Sequence, residues 1–399
     1  MRSLRVAALT AAACALGAAG CSGGAVRPGE PRVIACPAAP GSQAPNLAAG
    51  LDGRLYLSWI EPAGEEHALR YSTWSDGGWS SPRTVATGGE WFVNWADVPS
   101  MAALEDGTLA AHWLVRSGDA PYAYDVVVSL SRDEGASWGA PLRPHRDGTA
   151  TEHGFVSLVP SSDGVGILWL DGRKTADTPP GATALRYAVL LPEGELRDEA
   201  EVDDSVCDCC STDAVRTGDG AILAAYRDRT AAEVRDISVS RLEGSTWSAP
   251  RTVSADNWEI LACPVNGPAV AARDDHVAVA WFTAAQGSAR VKLAFSRNGG
   301  RSFDSPLRVD LGSPLGRVDV LMLDDGSALV IWLEREAGEA RILLRQVTPS
   351  RAFPPRVVAS TSEARASGFP RAVRFGDEIV LAWTQAGDPP RIKTATLSL

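Results

Sequence analysis

A short apolar strand that ends in an aromatic recurs seven times along this chain, and that recurrence leaves few folds open. The copies are Leu55–Trp59, Leu109–Trp113, Val165–Trp169, Ile222–Tyr226, Val277–Trp281, Ala328–Trp332 and Ile379–Trp383, and their aromatics stand 51 to 57 residues apart. A period of this length marks a repeat architecture in which each supersecondary unit packs on the next. Before most copies stands a turn pair: Asp52-Gly53, Asp106-Gly107, Asp163-Gly164, Asp219-Gly220 and Asp325-Gly326. Such pairs favour two-residue hairpins. Another apolar strand precedes the turn, as in Pro45–Ala49 and Pro268–Ala272. The 38 Gly and 26 Pro suit short strands and tight turns, and no long stretch carries helical periodicity.

A third and a fourth strand follow each aromatic, joined by a second turn. In the second unit that turn is Ser131–Trp138, which matches Ser-x-Asp-x-Gly-x-x-Trp, the Asp box, at every position. Ser296–Phe303 is a close variant; Ser240–Trp247 and Ser72–Trp79 keep the spacing without the acid. The logic is local: the acid caps backbone donors, Gly takes a positive φ, and the aromatic packs between sheets. Four strands per unit predict an all-β, seven-bladed β-propeller over residues 31–399, with a six-bladed ring as the alternative. The last unit has only three strands after Phe369. Pro31–Ala35 resembles the fourth strands Pro82–Ala86 and Pro250–Ser254 and is expected to complete the seventh blade.

Residues 1–21 read as a lipoprotein signal. Arg2 and Arg5 precede an apolar run, Val6–Ala19, and Ala18-Ala19-Gly20-Cys21 has the form of a lipobox that lipidates Cys21. An ordinary cleaved signal is the alternative. Residues 22–30 form a Gly/Ser/Pro tether. The expected location is the periplasm or the cell surface, with membrane contact through the lipid only. A net charge of -11 argues against nucleic acid and against a basic lipid-binding surface.

In a propeller, the loops leading into the blades share a face with those between second and third strands. That face receives Cys36, Cys207, Cys209, Cys210, Cys263, Trp91, Asn94, Trp95, Asp97, Glu152, His153 and Trp258. Cys207, Cys209, Cys210 and Cys263 with His153 form a candidate metal set for copper or zinc. Export favours disulfides between leading loops, such as Cys263 to one of Cys207, Cys209 or Cys210. A reactive thiol is the third reading, because five mature cysteines beyond Cys21 cannot all pair within one chain. Trp95, Asp97, Arg173, Arg227, Asp228, Arg229 and Arg235 form a candidate ligand-binding set. Its guanidinium groups suit a carboxylate or sulfate, or else pair with neighbouring acids as a loop network.

The blade pattern and Asp boxes resemble the sialidase superfamily, the neuraminidase repeat proteins. The resemblance implies an extracytoplasmic propeller that acts on glycans. Sialidases of that family use an arginine triad, a Tyr nucleophile activated by Glu, and an Asp acid/base. Here Gln43-Ala44-Pro45 stands where the family has Arg-Ile-Pro, and no Tyr follows Tyr226, although Arg317 and Arg371 precede blades six and seven. No catalytic residue is therefore carried over. The expected function is binding of a glycan, an anionic group or a metal on the loop face. The alternatives are a glycoside hydrolase of exo-sialidase type or a lyase, using Asp97, Glu152, Asp171 or Asp228, and a protein-docking propeller.

Overall fold

The computed structural model describes residues 28–75 and 77–399, so the signal, Cys21 and most of the tether lie outside the described residues. The described chain forms seven antiparallel sheets in sequence order. Blade one is Gln43–Ala49, Leu55–Ala63, Glu66–Ser75 and Arg83–Gly88. Blade seven is Arg371–Phe375, Glu378–Gln385 and Arg391–Ser398, completed by Arg32–Ile34 as its outer strand. Arg32 lies opposite Thr396 and Ile34 opposite Thr394, so the two ends of the propeller close the ring. The chain docks slightly before the expected end of the tether, because Gly29 N–H donates to Ser398 C=O at 2.7 Å. Glu30 then pairs with Arg356 of blade six.

Blade two departs from the four-strand expectation. It has three strands, Met101–Ala103, Leu109–Arg116 and Tyr124–Ser131, and its fourth is one bridge between Val128 and Leu142. Pro141 and Pro144 flank Leu142, and neither can donate to a ladder. Among the described residues helix is limited to three short 3-10 turns, and none is long and apolar enough to cross a membrane.

The recurring aromatics lie between blades. Trp59, Trp169 and Trp332 are 0% exposed and Trp281 1%. Leu293 and Phe295 of blade five, for example, pack with Val318, Val330 and Trp332 of blade six. A buried indole carries one donor that must be satisfied. Trp59 Nε1 donates to Glu61 (2.8 Å), Trp169 to Asp171 (2.8 Å) and Trp332 to Glu334 (2.6 Å), each acceptor two residues further along the same strand. In blade five the acceptor is Asp256 of the leading loop (2.8 Å), and in blade four Tyr226 hydroxyl donates to Asp203 (2.8 Å). Glu334 also accepts Ser313 N–H at 2.6 Å, so one carboxylate fixes both the aromatic and the loop leading into its blade.

Most Asp-Gly turns prove one residue longer than expected. In blade one Gly50 N–H reaches Arg54 C=O and Gly53 N–H reaches Gly50 C=O, which encloses three residues. Blades two, four and six repeat this bonding. Gly53, Gly107, Gly220 and Gly326 sit at φ between +76° and +84°, the left-handed position that follows a type I turn in such a loop. In Ser131–Trp138, Asp133 accepts Ser137 N–H (2.8 Å) and Ser131 Oγ accepts Gly135 N–H (2.7 Å). Trp138 meets Tyr71 of blade one edge to face at 6.2 Å.

Trp332→Phe keeps most of the ring volume but leaves buried Glu334 without the indole donor. It is expected to cost about 1–3 kcal/mol in urea unfolding. Trp332→Ala is expected to cost about 3–5 kcal/mol. A Trp332→Phe variant as stable as the wild type would show that the hydrogen bond contributes nothing beyond packing.

Candidate functional site

The inner strands are tied to one another by buried carboxylates. Asp97 accepts Phe155 N–H at 2.9 Å, Asp213 accepts Val270 N–H at 2.8 Å, and Asp319 accepts Ala372 N–H at 2.7 Å. Blade two is thereby joined to three, four to five, and six to seven. These side chains border an axial cavity of about 600 Å³, which Asn46, Ser157 and Arg371 also line. Burial pushes the Asp97 and Asp213 carboxyls up to about 7 and raises Asp319 as well. The Arg371 charge opposes the rise at both Asp213 and Asp319. Arg371 Nε itself is buried and has no hydrogen-bond partner.

On the loop face the cavity is capped. Trp95, from the loop leading into blade two, stacks on Phe369 of blade seven (6.0 Å, 16°), and Arg317 of blade six lies 4.9 Å from its ring. Blades two and six are three positions apart in a ring of seven, so this contact passes over the axis. Trp95, expected to face a ligand, is part of that cap. Asp97 is only 2% exposed and is sealed beneath it.

The cysteines form two disulfides, Cys207–Cys210 and Cys209–Cys263. The first is buried; the second links the loops leading into blades four and five across 54 residues. Their sulfurs thus hold one another rather than a metal, and the leading loops are stapled. Among the described residues Cys36 is the one free thiol, and burial raises its pKa, which suppresses thiolate chemistry.

The arginines of the predicted ligand set are already engaged. Arg227 donates to the carbonyls of Asn266, Phe282 and Arg235 and stacks 4.9 Å from Trp258. Burial lowers its pKa to about 9. Arg235 contacts Glu233 (2.8 Å), Asp208 (3.4 Å) and Cys207 Sγ (3.6 Å). Arg229 pairs with Glu233 at 2.6 Å, and Asp228 accepts the Ser238 hydroxyl at 2.8 Å. Arg173 pairs with Asp171 at 2.6 Å. The mutually paired network, rather than the open clamp, is what this loop cluster forms.

His153 is not with the cysteines. It opens the inner strand of blade three, opposite Asp171, and is enclosed against blade two. There it stacks on His145 (3.9 Å, 0°) and faces Asp125, Asp147 and Asp171. Sequence reasoning missed His145, Asp125 and Asp147. The available signal was that two of the chain's five His stand eight residues apart with Asp147 between them.

A second group lies nearby. Tyr124 hydroxyl is 3.0 Å from Asp97 Oδ2 and 2.8 Å from Glu152 Oε1. One phenolic proton cannot satisfy both carboxylates, so one carboxyl must itself carry a proton and donate to the Tyr124 oxygen. Burial, reinforced by the charges of Asp97 and Asp208, pushes Glu152 up to about 7. Tyr124 is fully buried and stacked on Phe92, whereas Glu152 is partly exposed.

No family model and no curated protein matches this chain. Solved structures do. A protein of unknown function from Dyadobacter fermentans superposes with a TM-score of 0.55 at 16% identity, over 94% of this chain and 99% of that one. A Hadza microbial sialidase gives 0.52 at 13% identity, over 84% and 74%. The polysaccharide lyase Uly1 gives 0.51 at 9% identity, over 87% and 88%. At these identities the shared property is the fold, a sialidase-like β-propeller.

Peptide mapping of the unreduced protein is expected to recover the Cys207–Cys210 and Cys209–Cys263 links, with Cys36 alkylated only after unfolding. Removing the second link as the double Cys209→Ser, Cys263→Ser variant is expected to cost about 4 kcal/mol. Free thiols at Cys209 and Cys263 in the air-equilibrated protein would contradict the pairing.

Proposed function

We propose that this chain is an exported, lipid-tethered, sialidase-like propeller that binds an acidic sugar in its axial cavity. Arg371 carries the reading. Its Nε is buried without a partner at a cavity of about 600 Å³, while Arg227, Arg235 and Arg317 are spent on carbonyls and carboxylates. Ligand pockets typically enclose roughly 300–1,000 Å³. A guanidinium matches a carboxylate or sulfate, and Asp213, Asp319, Ser157 and Asn46 supply polar partners for hydroxyls. The sialidase and the polysaccharide lyase that share the fold act on glycans by their names, in keeping with this reading. Cys21 would hold the propeller to the membrane through the tether that leads to the outer strand of blade seven.

Titration calorimetry with sialic acid, glucuronate and glucose is the test. The acidic sugars are expected to bind and glucose not, and Arg371→Ala is expected to weaken binding by about tenfold or more. Equal binding of glucose, or an unchanged Arg371→Ala variant, would overturn the reading.

Glu152 favours a second reading, glycoside hydrolysis on the loop face. Of the carboxylates considered there, Asp97 and Asp171 are sealed, whereas Glu152 is partly exposed and its pKa is pushed up to about 7. A carboxyl raised in this way is protonated below that pH and serves as a general acid. Turnover of a fluorogenic sialoside or uronide is therefore expected to fall as pH rises through about 7, and Glu152→Gln to abolish it without unfolding. Turnover that persists in Glu152→Gln would exclude Glu152 as the acid.

A further inference from the structure

We propose that the four sulfurs in the loops leading into blades four and five form a thiol–disulfide relay, which accepts two electrons from an external dithiol at Cys263 and passes reduction inward to Cys210. This activity is separate from the axial cavity, and neither ring closure nor the glycan reading requires it.

The two bonds do different work. Cys209–Cys263 ties one loop to the next across 54 residues, whereas Cys207–Cys210 spans three residues within a single loop. A bond that closes so short a ring removes little freedom from the unfolded chain, so stapling explains it least. The bonds also touch. Cys207 Sγ and Cys209 Sγ lie 3.9 Å apart, although each belongs to a different disulfide. Thiol–disulfide exchange begins from such a contact, with a thiolate sulfur attacking one sulfur of a bonded pair.

Exposure is graded along the four sulfurs. Cys263 is exposed, Cys209 is half-buried, and Cys207 and Cys210 are each 1% exposed. A reductant in solvent therefore meets the outer bond at Cys263 and reaches the inner bond through Cys209. The inner end carries a cation. Arg235 Nη1 donates to Cys207 Sγ at 3.6 Å, and Arg235 is itself buried. Glu233 and Asp208 hold it there at 2.8 and 3.4 Å. Arg229 shares Glu233, so the two acids do not outweigh the two guanidinium groups. A guanidinium in contact with sulfur offsets the negative charge that exchange places on the cluster.

The steps balance. The first thiolate of the dithiol attacks Cys263 Sγ; the Cys209–Cys263 bond breaks and its electron pair stays on Cys209. The second thiolate then displaces Cys263 and closes the donor's own disulfide. Cys209 thiolate attacks Cys207 Sγ, the Cys207–Cys210 bond breaks, and that pair leaves on Cys210. The donor is oxidised by two electrons and gives up two protons, which Cys263 and Cys210 take. The propeller ends with thiols at Cys263 and Cys210 and a bond between Cys207 and Cys209.

The experiment uses the whole mature chain in native buffer. About one equivalent of dithiothreitol is added, thiols are trapped with N-ethylmaleimide, and the unreduced digest is mapped by mass. Label is expected at Cys263 and Cys210, with Cys207 joined to Cys209. Label confined to Cys209 and Cys263, with Cys207–Cys210 intact, would overturn the relay, as would a chain that takes no label until it is unfolded. Removing the outer bond as Cys209→Ser with Cys263→Ser is expected to slow reduction of Cys207–Cys210 by about tenfold or more. An undiminished rate in the folded variant would also overturn the proposal. The wild-type map decides even if that variant does not fold.

Discussion

The loop face is built around the polar atom of a buried aromatic, an indole N–H in blades one, three, five and six and a phenol in blade four. A tryptophan at the end of the second strand fills the gap between sheets, and its single polar atom needs an acceptor there. In blades one, three and six the acceptor is a carboxylate two residues further on. A buried carboxylate has oxygen lone pairs to spare, and these recruit neighbours: Ser313 N–H in blade six, Arg173 in blade three and Arg70 in blade one. The packing aromatic thus dictates where a charge sits, and the charge dictates how a loop is folded.

The same principle explains why so many arginines point inward. Loops that cover the end of a propeller cannot form ladders, so their carbonyls need donors from elsewhere. Arg227 and Arg317 each satisfy two or more carbonyls from neighbouring loops while an indole face covers the guanidinium. Such residues act as cross-braces. A dense run of both charges in the sequence therefore marks a frame as readily as a binding site, and the unpartnered Arg371 stands out only once the others are placed.

The repeat was legible because each blade restates it: an aromatic at fixed spacing, a Gly that needs positive φ, an apolar strand of set length. Ring closure by residues 32–34 was legible for the same reason, since that segment copies other fourth strands. Blade two lost its fourth strand to prolines that were in plain view at 141 and 144, but their effect depends on which N–H groups the ladder would have used. The site was less legible because its members lie far apart in sequence. Asp125 lies within a strand of blade two, His145 in a loop and Asp171 at a strand end, and only the stacking of blades brings them together. The cysteines were placed on one face correctly, yet spacing alone gave no ranking between thiolate ligation and disulfides. Asp97 and Arg227 were expected to meet a ligand on that face, but Asp97 lies beneath the Trp95 cap and the Trp258 ring covers Arg227.

The seam in blade seven has a consequence for the order of assembly. Thr394 and Ile34, which face each other there, are 360 residues apart in the chain. Bringing such distant segments together costs about 5 kcal/mol in chain entropy by the logarithmic loop estimate. Within the propeller, Arg32–Ile34 is thus made first and has no partner until Arg391–Ser398 exists. Blades one to six are each complete from local sequence, but the seventh is a joint between birth and completion. A nascent chain would carry an unpaired leading edge for the whole of its elongation, and the circle would shut as a late, all-at-once event that a chain stalled before the final strand cannot reach.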